Sequence, residues 1–160
     1  SMTNPPTEPT INEALIGLAR SLLQYVAESW PWVDESDRSI EVQVRGLAAQ
    51  QRQDVRELVQ LLIGRDWPID FGTFPTEYTD LHFMSLSTLF DLLRNGQRQV
   101  ADRLAATAQA LRDASDDQGT ALIEAIAVRQ NDIAVSLKEL QQELKHAPSE
   151  ASIAPDCSPS

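Results

Sequence analysis

Ile123, Ile126, Gln130, Ile133, Leu137, Leu140 and Leu144 follow one another in an unbroken alternation of three and four residues. Only an α-helix lines up such positions on one side, and a one-sided helix must bury that side against another element. Three further segments carry the same spacing. The first, over residues 11–30, has the seam Ile11, Leu15, Leu18, Leu22 and Tyr25, widened by Ala19, Leu23 and Val26. Thr10 and Glu13 read as a capping box at its start, and Pro31 stops it. The second spans 38–64 with Ile40, Val44, Leu47, Gln51, Val55, Leu58 and Leu62, and Gly64 suits its C-terminal cap. The third runs from 83 or 85 to 114 with Leu86, Phe90, Leu93, Gln97, Val100, Leu104 and Leu111. The fourth covers 117–145. No segment alternates as a strand would, so the fold class is all-α, a four-helix bundle.

The connections set the expected topology. Residues 31–37 and 114–116 are short links, which make antiparallel neighbours. The link from Arg65 to His82 is long. A helix over 38–64 is about 40 Å long, and an extended chain covers ~3.3 Å per residue. This link therefore reaches from one end of the bundle to the other and leaves the second and third helices parallel. Its aromatics (Trp67, Phe71, Phe74, Tyr78) are expected along the outside. One domain over 10–145 is predicted, flanked by a Pro-rich segment 1–9 and a Ser/Pro/Ala-rich segment 146–160, both read as disordered.

What interrupts the seams is more informative than what builds them. Gln51, Gln97 and Gln130 each replace an apolar residue near the middle of a helix, where bundle helices meet at one level. Asp54 lies one turn beyond Gln51 and needs an Arg or amide partner if it is buried. A buried amide without partners costs about 1–3 kcal/mol, but several together satisfy one another. Two readings stand: a polar layer that fixes register, as a buried Asn does in coiled coils, or a small-molecule or ion site in the core.

Helices in this order and with this long link resemble the ferritin-like di-iron proteins, such as rubrerythrin and bacterioferritin. AAQQRQDVRELVQLL is similar to a family second helix, with Gln51-x-x-Asp54 where Glu-x-x-His stands. AVRQNDIAVSLKEL is similar to a fourth helix, with Gln130-x-x-Ile133 at that place. The glutamate positions of the third and first helices look like Gln97 and Ala19. The resemblance implies a ferritin-like bundle over roughly 10–145. It also implies that every expected iron ligand is replaced, so the family's oxidase and storage chemistry does not carry over and no metal or other cofactor is expected.

The remaining signals are sparse. Thirteen Lys+Arg against twenty-four Asp+Glu leave a net charge of −11, which disfavours nucleic acid and anionic membranes as partners. No apolar run approaches the ~20 residues of a membrane span, and no secretory signal is read, so a cytoplasmic protein is expected. The single cysteine, Cys157, excludes an intrachain disulfide, and His82 has no nucleophile or acid beside it. Asp70-Phe71-Gly72 spells a kinase motif by coincidence, since no Gly-rich loop or strand lysine accompanies it. Glu139, Gln142, Glu143 and Lys145 read as a solvated face. Trp30, Trp32 and Trp67 stand at helix ends, either as core plugs or as anchors for a partner. Ala101, Ala105, Ala108 and Leu111 form a second small-residue strip suited to a homodimer. No catalytic set is recognisable. The expected function is a non-catalytic bundle acting by interaction or assembly. The alternatives are a metal-handling or oxidoreductase protein with an altered site, and a binder of a small apolar ligand in the core.

Overall fold

The computed structural model describes residues 5–31 and 34–146. Trp32, Cys157 and the side chains of His82 and His146 lie outside this description. Among the described residues five α-helices form in chain order: α1 Glu8–Ala19, α2 Leu22–Glu28, α3 Arg38–Gly64, α4 Leu86–Asp113 and α5 Asp117–His146. Among the described residues there is no strand, and no helix is long and apolar enough to cross a membrane.

Two differences from the sequence reading concern the first helix. It begins at Glu8, with Pro9 in its first turn, so Thr10 lies inside the helix and caps nothing. Thr7 instead donates its hydroxyl to Asp116 Oδ2 at 2.6 Å. The expected single helix over 11–30 is also two helices. Ser21 takes an extended conformation (φ −67°, ψ 158°), and its Oγ accepts the N–H of Gln24, starting α2 afresh. Arg20, at the break, turns its Nε to the carbonyls of Phe71 and Gly72 at 3.0 and 3.2 Å. Local side-chain bonds to the backbone have outcompeted one helical turn.

Burial follows the seams. Two apolar clusters fill the interior, one on each side of mid-helix. The first joins α2, the N-terminal halves of α3 and α4 and the C-terminal half of α5, through residues such as Leu23, Val44, Phe90 and Leu137. The second joins α1, the C-terminal halves of α3 and α4 and the start of α5, through Leu15, Leu58, Leu104 and Ile126. Helices α3 and α4 therefore run the same way, and α1–α2 and α5 run against them. The segment 65–85 carries the chain from one pole to the other.

That segment is fastened along α1 and α2. Asn12 and Asp70 exchange two hydrogen bonds, both 3.0 Å. Arg20 covers the Phe74 ring at 4.9 Å, and Tyr25 meets Phe74 and Tyr78, each at 5.4 Å between centroids. Asp70-Phe71-Gly72 is a turn here. Asp70 Oδ1 accepts the Gly72 N–H at 2.9 Å, and Gly72 has φ +67° with an added Cβ falling 2.8 Å from Ile16 Cγ2. Gly72→Ala is therefore expected to destabilise by about 1–3 kcal/mol, from left-handed strain and the clash together. A urea midpoint unchanged from the parent would contradict that.

The pole where α3 and α4 end is built from two similar caps. Asp66 (φ 54°) and Ser115 (φ 60°) take the left-handed position, and Trp67 and Asp116 then donate N–H to the carbonyls of Leu62 and Leu111. The left-handed residue after α3 is thus Asp66 rather than Gly64. Asp116 also caps α5 by accepting the Gly119 N–H, and it takes both terminal nitrogens of Arg65 at 2.8 and 2.9 Å. The Arg65 guanidinium beside it holds the Asp116 carboxyl well below the usual carboxylate range.

Candidate functional site

Between the two apolar clusters lies one polar layer. Gln51 and Gln130 are 0% exposed, Asp54 1% and Gln97 2%. Each is held in place by the seam of its own helix, with apolar neighbours a turn above and below. The structure brings all four together. Gln51 Nε2 donates to Gln130 Oε1 at 3.0 Å and to Gln97 Oε1 at 3.4 Å. Gln97 Nε2 donates to the Gln130 side-chain and backbone oxygens at 2.8 and 3.0 Å. Gln130 Nε2 donates to Asp54 Oδ2 at 2.6 Å.

Three members were not legible as part of it. Ser21 Oγ and Gln24 Nε2 both donate to Gln51 Oε1, at 2.6 and 2.9 Å. Gln24 is also tied to the Ala48 carbonyl and receives Arg52. Arg129 Nε donates to Asp54 Oδ1 at 2.6 Å, and Arg129 also pairs with Glu57. The first helix therefore reaches the layer through the break after Ala19, whose own side chain packs in the α1 cluster instead. A polar pair, Ser21 and Gln24, within an otherwise apolar stretch was the available signal. Arg129, next to Gln130, was hidden because adjacent helical residues normally point apart.

The layer has a direction. Ser21 and Gln24 donate to Gln51, Gln51 donates to Gln97 and Gln130, and Gln130 donates to Asp54. A carboxylate only accepts, so Asp54 fixes which way each amide in the chain faces. Burial pushes the Asp54 carboxyl upward from its ordinary range, against the opposing pull of Arg129 and Gln130. None of the layer's buried side-chain nitrogens or oxygens is left without a hydrogen-bond partner.

This donor set does not fit the di-iron centre that the resemblance implies. The layer holds one carboxylate, already shared between a guanidinium and an amide. The Gln51 and Gln130 amide oxygens each accept two hydrogen bonds, and Ile133 offers no donor atom. A cation brought to Asp54 would meet the positive charge of Arg129. Among the described residues, no three His, Cys, Asp or Glu side chains are grouped to hold a metal ion.

The other expected contacts fall elsewhere. Trp30 packs half-buried on the first apolar cluster and Trp67 on the second. Of the small-residue strip on α4, Ala108 and Leu111 are 6% and 0% exposed within the second cluster. Ala101 is half-buried and Ala105 exposed, so the strip runs from the core onto the surface of α4. Gln141, 1% exposed, forms a smaller polar link between Arg94 and Asp91. Compared with known proteins, the chain matches no family model and no curated sequence.

Proposed function

We propose that this chain is a non-catalytic four-helix bundle of the ferritin-like kind, with α1 and α2 forming one of the four rods. In this reading an amide network stands where family members carry metal, and the protein acts through interaction or assembly in the cytoplasm. The observation that carries the reading is the closure of the central layer. Its donors and acceptors are spent on one another, so it holds the helices in register and presents nothing for a substrate to use. A bundle whose central polar layer is occupied in this way leaves function to its surface. The parallel course of α3 and α4, joined by a pole-to-pole segment, supports the architectural half of the reading. The charge of −11 favours partners with basic or neutral faces over nucleic acid.

Metal content tests it directly. The protein, expressed in medium supplemented with iron, manganese and zinc and purified without a His-tag, is expected to contain metal far below one equivalent by plasma mass spectrometry. Stoichiometric iron or manganese would overturn the reading and direct attention to oxidoreductase chemistry.

A further inference from the structure

One outer face of α5 is patterned as regularly as its inner seam. Asp117, Glu124, Asn131, Lys138 and Lys145 recur every seven residues, with an exposed residue between each pair, and all are exposed. Residues so spaced form one stripe along a helix. Val128 and Val135 are 62% and 55% exposed, among the few large apolar side chains that the protein leaves in water. They flank Asn131 at the middle of the stripe. The charges on either side have opposite sign: Asp117 and Glu124 toward the N-terminus, Lys138 and Lys145 toward the C-terminus. Beside the Lys138 end, Arg94, Arg98 and Asp102 of α4 line the same groove as Asn131, Val135 and Lys138, so two cations and one carboxylate of α4 flank it.

We propose that this stripe is the interface of an antiparallel homodimer, α5 against α5 of a second copy, with its two-fold axis at Asn131. The inference deepens the assembly reading above and rests on it. The sequence positions balance about that axis. Glu124 and Lys138 lie equally far from Asn131 on opposite sides, as do Asp117 and Lys145. An antiparallel partner therefore sets acid against base at both ends. Val128 of one copy meets Val135 of the other, and the two Asn131 amides face each other across the axis. A buried Asn pair of this kind specifies register at some cost in stability. A parallel partner would set Lys138 against Lys138 and Glu124 against Glu124, so the charges select the orientation. Glu124 is bridged to Arg112 of its own chain at the surface. Exposed pairs of this sort are weak and exchange readily. With two valines per copy at its centre the interface is small, and the dimer belongs with weak, salt-sensitive associations.

Sedimentation of the full chain tests the proposal through charge exchange. The parent is expected to show a monomer–dimer equilibrium that shifts toward monomer as salt is raised. Lys138→Glu/Lys145→Glu makes the stripe wholly acidic at its ends, and Asp117→Lys/Glu124→Lys makes it wholly basic. Each variant alone is expected to associate at least tenfold more weakly than the parent, with an unchanged circular dichroism spectrum. An equimolar mixture of the two is expected to recover the dimer, because each end again meets its opposite. Asn131→Cys in a Cys157→Ser background is expected to form a disulfide with itself under mild oxidation, and Lys138→Cys is not. A parent monomeric at every concentration, a dimer indifferent to both charge variants, or a mixture that fails to associate would each overturn the proposal. A dimer indifferent to the variants would leave the assembly reading standing on another face. Bound stoichiometric metal would defeat that reading without touching this interface.

Discussion

Gln130→Leu is expected to cost about 3–5 kcal/mol of stability, the largest effect of any single change in the central layer. The leucine removes the oxygen that both Gln51 and Gln97 use, and the N–H that Asp54 accepts. Three polar groups then lose a partner in a region closed to water, and one of them is a carboxylate. Gln51→Leu is milder, about 2 kcal/mol, because Gln24 keeps its bond to the Ala48 carbonyl and Gln130 still receives Gln97. Gln97→Leu is milder again, since the one bond that Gln97 accepts is long, at 3.4 Å. The triple leucine variant should lose less than the sum of the three, because partners removed together leave fewer groups stranded. Urea unfolding of the four variants gives the ranking. Three single variants that unfold at the parent's midpoint would show that the layer contributes nothing.

The seams made most of this architecture legible before any coordinates. The boundaries of α3 and α5 were set by residues that also punctuate the pattern, such as Asp37 before α3 and Asp116 before α5. The convergence of Gln51, Gln97, Gln130 and Asp54 follows from the same periodicity, because a polar residue on a seam has nowhere to go but inward. What escaped depends on tertiary hydrogen bonds that periodicity does not encode. The break at Ser21 leaves the apolar spacing of Leu18, Leu22 and Tyr25 intact, so the pattern alone gives no sign of it. Thr7 looked like part of a disordered end because its partners, Asp116 and Arg65, are distant in sequence. Ala108 stands off the α4 seam in the sequence and is buried all the same, because α4 is covered over a broader arc than one seam. The opposite charges at the two ends of the outer α5 stripe gain meaning only once Val128 and Val135 between them are seen to be exposed.

Arg129→Leu separates the charge of the layer from its amides, and its signature is a dependence on pH. Asp54 is 2% exposed at its side chain, and among the described residues Arg129 alone forms an ion pair with it. Removing one partner of a buried pair typically costs about 3–5 kcal/mol. Because the Arg129 side chain is 43% exposed and water can enter in its place, a loss of about 2–4 kcal/mol at neutral pH is expected. Burial already raises the Asp54 carboxyl, and Arg129 opposes that rise. Without Arg129 the folded-state value climbs further above the unfolded value of about 3.9. A group raised in this way contributes stability that is full below the unfolded value and is lost as pH rises through the folded one. The deficit of the variant should therefore be largest at neutral pH and shrink as the solution is acidified. Asp116 has the opposite sign, its contribution being lost as pH falls, but it is common to parent and variant and cancels in their difference. Arg129→Leu combined with Asp54→Asn should remove the part of the pH dependence that Asp54 carries and leave only that of Glu57, the other partner of Arg129, since Asn can still accept from Gln130 and carries no charge. Unfolding free energies of parent, single and double variants across this range decide the matter. A deficit that stays constant with pH would mean that Asp54 does not sense Arg129 as a charge, and that the layer is held by its amides alone.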